Sequence, residues 1–416
     1  MKVDTNLYNE LKERGLLYQC SNEELLKKRL ESGEPLVVYE GSDPTMDSLH
    51  IGHCIPYCIL RKFQQAGHKV LLLMGGATAG IGDPTGKSEM RQMLSKEQIK
   101  NNIEKIKDTL KIFLNFDGEN PAEIVNNADW FDNINYLDFM RDYGVHFNIN
   151  KMLSSEIYDN RLNNGGLTLF ELGYMPMQAY DFVHLNRTKN CTLQYGGADQ
   201  WGNIVAGVEL QRKLNFQINT NIELIGATNP LLLTPEGKKM GKTERGAIWI
   251  DRNKISAYDF YQGVYQTPDS CVEMMFALFT NIPMKEIREI CKQDIVKAKQ
   301  KLSYEITKFV RGKEDADLAQ GTSNALFQNN QIDDNMPTTI IDKNSLADNK
   351  IGILELLTLC GLTKSNGEAR RLIEQGGITM NDAKLTDHKL FVSQEELSKG
   401  IVLKKGKKQF NKAILK

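Results

Sequence analysis

Two histidines set three apart, His50-Ile51-Gly52-His53, stand where a turn gives way to an apolar, helix-like stretch. A helix N-terminus presents free N–H groups and the positive end of a dipole, which suits phosphate. Imidazoles at that point, with Thr45 just upstream, can contact a polyphosphate as charge develops on it, and Gly52 lets a flat ligand lie close to the backbone. The same pair would also serve as helix-surface histidines or as half of a metal site, though no further His or Cys cluster with ligand spacing follows. A second stretch, Gly75 to Gly86, runs into Lys87 and Ser88 and invites comparison with a phosphate loop. It fails that pattern, because Ile81 stands where the loop needs its first Gly, and Thr85 stands where a dinucleotide loop needs its third. What remains is a loop after a strand, carrying Asp83, Lys87 and Arg91. The third stretch, Glu236 to Glu244, sets Lys238, Lys239 and Lys242 among glycines. Such a turn is ordinarily a solvated loop; its other use is an arm that delivers ammonium groups to a departing phosphate.

These residues need a frame. Pro35 to Tyr39 reads as a buried strand, Gly41 to Thr45 as a turn, and Ile51, Ile55, Ile59 and Phe63, spaced by four, as one face of a helix ended by Gly67. Lys69 to Met74 is a second apolar strand, so strand, helix and strand form a βαβ unit and predict a parallel α/β sheet. Pro56 inside that helix is expected to cost a backbone hydrogen bond. The alternation continues to about Ile250, with a strand at Thr192 to Tyr195 and a helix at Asn203 to Leu214. From Ala257 to Gly312 the spacing is helical throughout, with Glu273 to Thr280 and Met284 to Lys308 the clearest pieces. Polar residues 328–347, with Pro337, read as a linker. A helix from Ile351 to Gly361 follows, then a second one opened by the capping pattern Ser365-Asn366-Gly367-Glu368 and closed by Gly376-Gly377.

Composition narrows the classes. With 416 residues, 41% hydrophobic and 25% charged, the chain is an ordinary globular protein of two or three domains, not a collagen-like, disordered or disulfide-stapled one. Seven scattered Cys with no Cys-x-x-Cys pair point to reduced thiols, and no apolar window is long enough to span a membrane. A cytoplasmic location is expected. The net charge of −1 argues at first against a nucleic-acid partner. Yet residues 348–416 hold 13 basic and 8 acidic side chains, leaving 39 and 45 for the rest. An acidic body carries a basic end.

Taken together, His50-Ile51-Gly52-His53, Lys239-Met240-Gly241-Lys242-Thr243 and the helical region beyond resemble the class I aminoacyl-tRNA synthetases. Within that family the resemblance is to the bacterial and organellar tyrosyl-tRNA synthetases. It rests on Asp43 to His53, Gly75 to Gly86, Gln178-Ala179-Tyr180-Asp181-Phe182 and Gly196 to Asn203. It implies a Rossmann-like parallel-sheet catalytic domain over 1–250, with a dimerisation insertion near 120–165 and a Lys-rich loop at 236–244. An α-helical anticodon-side domain over 251–327, a linker over 328–347 and a small α+β, S4-like RNA-binding domain over 348–416 would follow. The implied activity is tyrosine activation by ATP, with Mg²⁺ on the nucleotide, and transfer to tRNA(Tyr) by a homodimer; no protein-bound metal is expected.

Residue by residue, the resemblance assigns tyrosine binding to Tyr39, Asp83, Asn127, Tyr174, Gln178, Asp181 and Gln200. It assigns ATP to Gly41, Asp43, His53, Gly197, Asp199 and Lys242, and the reaction itself to Thr45, His50, His53, Lys87, Arg91, Lys239, Lys242 and Thr243. Arg370, Arg371, Lys404, Lys405, Lys407 and Lys408 would meet tRNA phosphates. The chain departs from the family at Glu40, Ser42 and Tyr195, usually Cys, Phe and a smaller aliphatic, and Pro176 is expected to interrupt a helix. Other readings are a synthetase-like RNA-binding protein without adenylation, a nucleotidylyltransferase with the same histidine signature, and a synthetase for a related aromatic amino acid.

Overall fold

The βαβ unit read from the sequence is the centre of a six-stranded sheet. Its strands are β1 (Gln19–Cys20), β2 (Val37–Ser42), β3 (Lys69–Met74), β4 (Glu123–Asn126), β5 (Leu193–Gly197) and β6 (Ile225–Asn229), in the order β1-β6-β5-β2-β3-β4. All neighbours are parallel except β1, which closes the edge antiparallel to β6. Strand β3 is a nearly continuous apolar run, and β2 is buried over its first four residues, because both faces of an interior parallel strand are covered. Helix α1 (Ile55–Gln65) covers one face and α2 (Tyr174–Lys189) the other; α3 (Trp201–Ile218) packs beside α2. The chain winds from β2 outward to β4 and then returns to β5 on the other side. The strand order therefore reverses between β2 and β5, the place where such sheets bind ligands.

This computed structural model describes residues 2–85, 93–235, 237, 242–243, 246–328, 338–406 and 409–416. The chain divides into two compact units, the first Met1–Lys254 with Gln266–Leu302, the second Ile255–Tyr265 with Ser303–Lys416. The division differs from the expected boundaries in two respects: of the expected helical domain, Gln266–Leu302 clusters with the sheet, and Ile255–Tyr265 with the residues from Ser303 onward clusters with the C-terminal part. Among the described residues no helix is long and apolar enough to cross a membrane.

Both prolines behave differently from expectation. The His50 segment opens as a short 3-10 turn, Ile51–Cys54, so α1 starts only at Ile55 and Pro56 falls in its first turn. A missing N–H there costs no hydrogen bond. Pro176 likewise sits in the first turn of α2, which runs on unbroken to Lys189. The predicted helix Met284 to Lys308 is two helices, Met284–Gln293 and Ile295–Arg311.

In the second unit, helices Ile353–Leu359, Asn366–Glu374 and Gln394–Lys399 accompany a five-stranded sheet, and Ile353, Leu356, Ala369, Ile373 and Leu403 form its core. Ser365 accepts from the Glu368 N–H as predicted, and Gly361 and Gly376 end their helices at positive φ. The linker reading of 328–347 needs correction. Thr338–Ile341 is a strand, paired parallel with the last strand, Gln409–Leu415.

Candidate active site

A cleft of about 1030 Å³ opens where β2 and β5 end, large enough for two small molecules together. Alternation along β2 divides its contributions between the two sides of the sheet. Tyr39 points toward α2, where it meets the Phe182 ring at 5.3 Å, and Glu40 and Ser42 point toward α1, where Tyr57 reaches Ser42.

On the α2 side, Asp181 is 2% exposed. Asn127 Nδ2 donates to its Oδ2 (3.1 Å) and Trp130 Nε1 to its Oδ1 (2.9 Å). Burial nevertheless pushes the carboxyl well above the usual carboxylate range. Tyr39 Oη is buried, feels the charge of Asp181, and has no hydrogen-bond partner among the described residues. A phenol and a carboxyl lining one apolar end of a cleft are equipped to recognise a hydroxyl. Gln178 lines the same cleft. Asn127, expected to bind ligand, is fully buried and does not line the cleft; it holds Asp181 from below and also donates to Thr78 (3.0 Å).

The Gly75 to Gly86 loop holds acids. Thr78 Oγ1 (2.8 Å) and Tyr174 Oη (2.9 Å) donate to the two carboxyl oxygens of Asp43. Gly75 is required there, since a Cβ would come within 2.0 Å of Asp43 Oδ1. Burial, with Asp43 and Asp83 alongside, pushes the Tyr174 phenol far up, so it remains a neutral donor. Gln200 Nε2 donates to Asp83 Oδ2 (2.6 Å), and the Thr85 N–H to Oδ1 (2.9 Å). Gly41, Gly197 and Asp199 line the cleft beside them, and a Cβ on Gly197 would lie 2.6 Å from Asp199 Oδ1.

Thr45, His50 and His53 line the cleft as expected, the two imidazoles stacked at 3.6 Å. The segment after the Lys-rich loop lies against them. Ile51 N–H donates to Ile248 O and Ile250 N–H to Leu49 O, each at 2.9 Å, and the Trp249 ring meets His50 edge-on at 6.1 Å. The histidine motif is thus joined by backbone hydrogen bonds to a segment about 200 residues further on. Lys242 and Thr243 form a short strand paired with Gly246–Ala247, while Lys87, Arg91 and Lys239 lie outside the described residues. Glu40, Asp43, Asp83, Asp181 and Asp199 give the cleft five carboxyl groups, and among the described residues no Lys or Arg lines it.

The departures from the family pattern each have a place. Ser42 Oγ donates to Glu40, and Tyr57 Oη to Ser42 Oγ (3.1 Å). Tyr195 packs edge-on against Phe63 and donates to Leu16 O (2.7 Å), so its extra bulk ties the sheet to the N-terminal segment. Sequence reasoning missed Trp130 and Thr78 as parts of the site; each donor lies far in sequence from the acid it serves, and nothing local signals it.

In the second unit Arg370 and Arg371 are exposed on Asn366–Glu374. Lys405 pairs with Glu368 (2.7 Å) and Lys404 with Asp382, so these two lysines are neutralised by acids that the sequence places well upstream. Lys407 and Lys408 lie outside the described residues.

Comparison with known proteins agrees with this geometry. The family model described as tRNA synthetases class I (W and Y) matches residues 31–328, and the tyrosine–tRNA ligase SYY-like C-terminal domain matches 328–413. A tyrosine–tRNA ligase of Clostridium botulinum is 45% identical over 416 residues, 99% of this chain and 100% of that protein. One from Acetivibrio thermocellus is 44% identical over 415 residues, again 99% and 100%. A C-terminally truncated mitochondrial tyrosyl-tRNA synthetase of Aspergillus nidulans superposes with a TM-score of 0.67 at 30% identity, over 77% of this chain and 94% of that one. A class I synthetase model over residues 31–328 and tyrosine–tRNA ligases about 45% identical over 99% of the chain leave the nucleotidylyltransferase reading without support: the chain belongs to the tyrosine–tRNA ligase family of class I aminoacyl-tRNA synthetases.

Proposed function

We propose that the two sides of the cleft divide the work of a tyrosine–tRNA ligase, the α2 side selecting tyrosine and the α1 side holding ATP. The observation that carries this is Asp181, buried beside the unpartnered Tyr39 Oη and held by Asn127 and Trp130. A phenol hydroxyl would satisfy Tyr39 and Asp181 together, whereas phenylalanine would leave both polar groups stranded in an apolar pocket. Discrimination of about 10⁵ against phenylalanine is an established property of tyrosyl-tRNA synthetases as a class. The α-ammonium would sit among Asp83, Tyr174 and Gln178, with Gln200 on the carboxylate side.

ATP would place its ribose at Gly197 and Asp199, its adenine end near His53 and Gly41, and its γ-phosphate at Thr45 and His50. The tyrosine carboxylate then attacks the α-phosphate, forming tyrosyl-adenylate and releasing pyrophosphate. No general base is required, because positioning and charge stabilisation carry the step. Five carboxyl groups and no described cation make the cleft a poor host for a polyanion by itself. That imbalance supports the assignment of Lys87, Arg91, Lys239, Lys242 and Thr243 to the phosphates, together with Mg²⁺ brought in on the ATP. Transfer to the 3′-terminal ribose of tRNA(Tyr) follows, with the exposed Arg370 and Arg371 among the basic groups available to RNA phosphates. Homodimerisation is supported by exposed apolar side chains from the insertion onward, among them Tyr136, Leu137, Val145, Ile149 and Leu169. A cytoplasmic location fits this activity.

The test is ATP–pyrophosphate exchange with tyrosine, phenylalanine and tryptophan in parallel. Exchange with tyrosine alone is expected. No exchange with any of them would favour the RNA-binding protein without adenylation, and equal exchange with phenylalanine would sink the Tyr39/Asp181 pocket.

A further inference from the structure

Glu40 is a buried acid with unusual company. It is 6% exposed and lines the cleft on the α1 side. Its recorded hydrogen-bond donor is Ser42 Oγ, 3.1 Å from both carboxyl oxygens, and one hydroxyl has one hydrogen to give. Ser42 Oγ in turn accepts from Tyr57 Oη, so the chain of hydroxyls runs Tyr57 to Ser42 to Glu40 and ends there. Among the described residues, the groups that face Glu40 bring no positive charge. Asp43 follows on the same segment, Tyr39 precedes it, Tyr57 reaches over from α1 with Cys54 behind, and Leu72 pairs beside it on β3. An ionised carboxylate so placed would keep most of its hydration unreplaced. Burial, with Asp43 adding to it, accordingly pushes the Glu40 carboxyl up to about 8.

We propose that Glu40 meets the nucleotide as a neutral carboxylic acid, its O–H donating to an acceptor oxygen of ATP. This inference rests on the reading that ATP occupies the α1 side of the cleft. With the Ser42 hydrogen directed at one carboxyl oxygen, the acid's own hydrogen remains for a ligand in the cleft. Deprotonation removes that donor and sets a negative charge against a polyanion, so both consequences weaken ATP binding in the same direction. Tyrosine, recognised from the opposite face of the sheet, is spared.

The experiment measures KM for ATP and for tyrosine in pyrophosphate exchange from pH 6.5 to 9.5, in the wild type and in Glu40→Gln, Glu40→Ala and Asp199→Ala. The wild-type KM for ATP should be flat to about pH 8 and then rise toward tenfold per pH unit, with the KM for tyrosine unmoved. Glu40→Gln retains a neutral donor of nearly the same shape. It should raise the KM for ATP threefold at most at pH 7 and erase the break near pH 8. Glu40→Ala should raise it about tenfold at pH 7, also without the break. A wild-type profile with no break would overturn the proposal. So would a Glu40→Gln KM raised as far as that of Glu40→Ala, since the charge rather than the proton would then be what ATP needs. An unchanged KM for ATP in Asp199→Ala would instead overturn the placement of the nucleotide. Thermal melts of each variant at pH 7 separate loss of binding from loss of fold.

Discussion

Asp181 and Glu40 are both buried acids lining one cleft, on opposite faces of one sheet, and they are built differently. Asp181 has an N–H donor for each oxygen, Asn127 and Trp130, both delivered by the segment after β4. Glu40 shares a single hydroxyl between its two oxygens. Burial raises both carboxyls, and against it stand two N–H donors at Asp181 and one hydroxyl at Glu40. An acid held from two sides is a geometric template for another group. An acid left with one hydroxyl donor is free to turn its own hydrogen toward a ligand. On the proposed division of the cleft, the amino-acid side is set before tyrosine arrives, while the nucleotide side would depend on charges brought by Lys-rich segments and by the ATP itself.

The comparison is most easily broken at Asp181. Asp181→Ala takes the acceptor from Trp130 Nε1, from one N–H of Asn127 and from the substrate phenol at once, each loss worth about 1–3 kcal/mol. We expect kcat/KM for tyrosine to fall by about 10³ or more and the preference over phenylalanine to collapse, read from exchange rates with both amino acids. A preference that survives would mean the phenol is read elsewhere. On the other side, His50→Ala should reduce kcat for exchange by about 10², as removal of one group that stabilises developing charge does. The dissociation constant for tyrosine, measured by equilibrium dialysis, should change little. Equal losses in both would place His50 at the amino acid and blur the division between the faces.

The frame of this cleft was legible in the sequence, and most of its tuning was not. Ile55, Ile59 and Phe63 marked the buried stripe of α1, and the run Lys69–Met74 marked β3, because periodicity is a local property. Pro56 was misplaced because the first residue of a helix depends on the turn before it, here a 3-10 turn that no spacing announces, and Pro176 was expected to break a helix whose first turn in fact accommodates it. Trp130 reaches Asp181 across 51 residues of sequence, and Thr78 reaches Asp43 across 35, by way of the sheet. Lys404 and Lys405 look like free positive charges until Asp382 and Glu368 are brought beside them. The segment Ile248–Ile250 pairs with the residues around His50 by backbone hydrogen bonds, which side-chain identity does not encode.

Glu40 also sharpens the comparison through stability. Its carboxyl sits near the ordinary 4.5 when unfolded and near 8 when folded, so between those values the folded chain holds a proton that the unfolded chain has released. Stability is thus fully present below about pH 4.5, falls as pH rises, and has lost this contribution above about pH 8. Glu40→Gln has no proton to lose. Its melting temperature relative to wild type should climb between pH 5 and 8 and stay level above, a difference of a few kcal/mol at most. Asp181 titrates in both proteins and cancels in the difference. A constant offset across that range would show Glu40 ionised throughout.

The smallest effect tests whether the amino-acid side is preset as a geometry or as a charge. Trp130 stacks on His184, ring centroids 4.3 Å apart and planes 22° apart, while its N–H serves Asp181. Trp130→Phe keeps much of the stacking surface and deletes only the donor, so the fold should survive and Asp181 should keep Asn127 alone. Loss of one hydrogen bond to a buried carboxyl is worth about 1–2 kcal/mol, or roughly 5- to 30-fold in kcat/KM for tyrosine. The KM for ATP should not move. Because the same donor also pulls the Asp181 carboxyl down, its removal should shift the pH dependence of kcat/KM for tyrosine upward. A drop in rate with an unshifted profile would leave Trp130 as a wall of the pocket rather than a hand on Asp181. A drop shared equally with ATP would mean that the two faces of the sheet do not act independently.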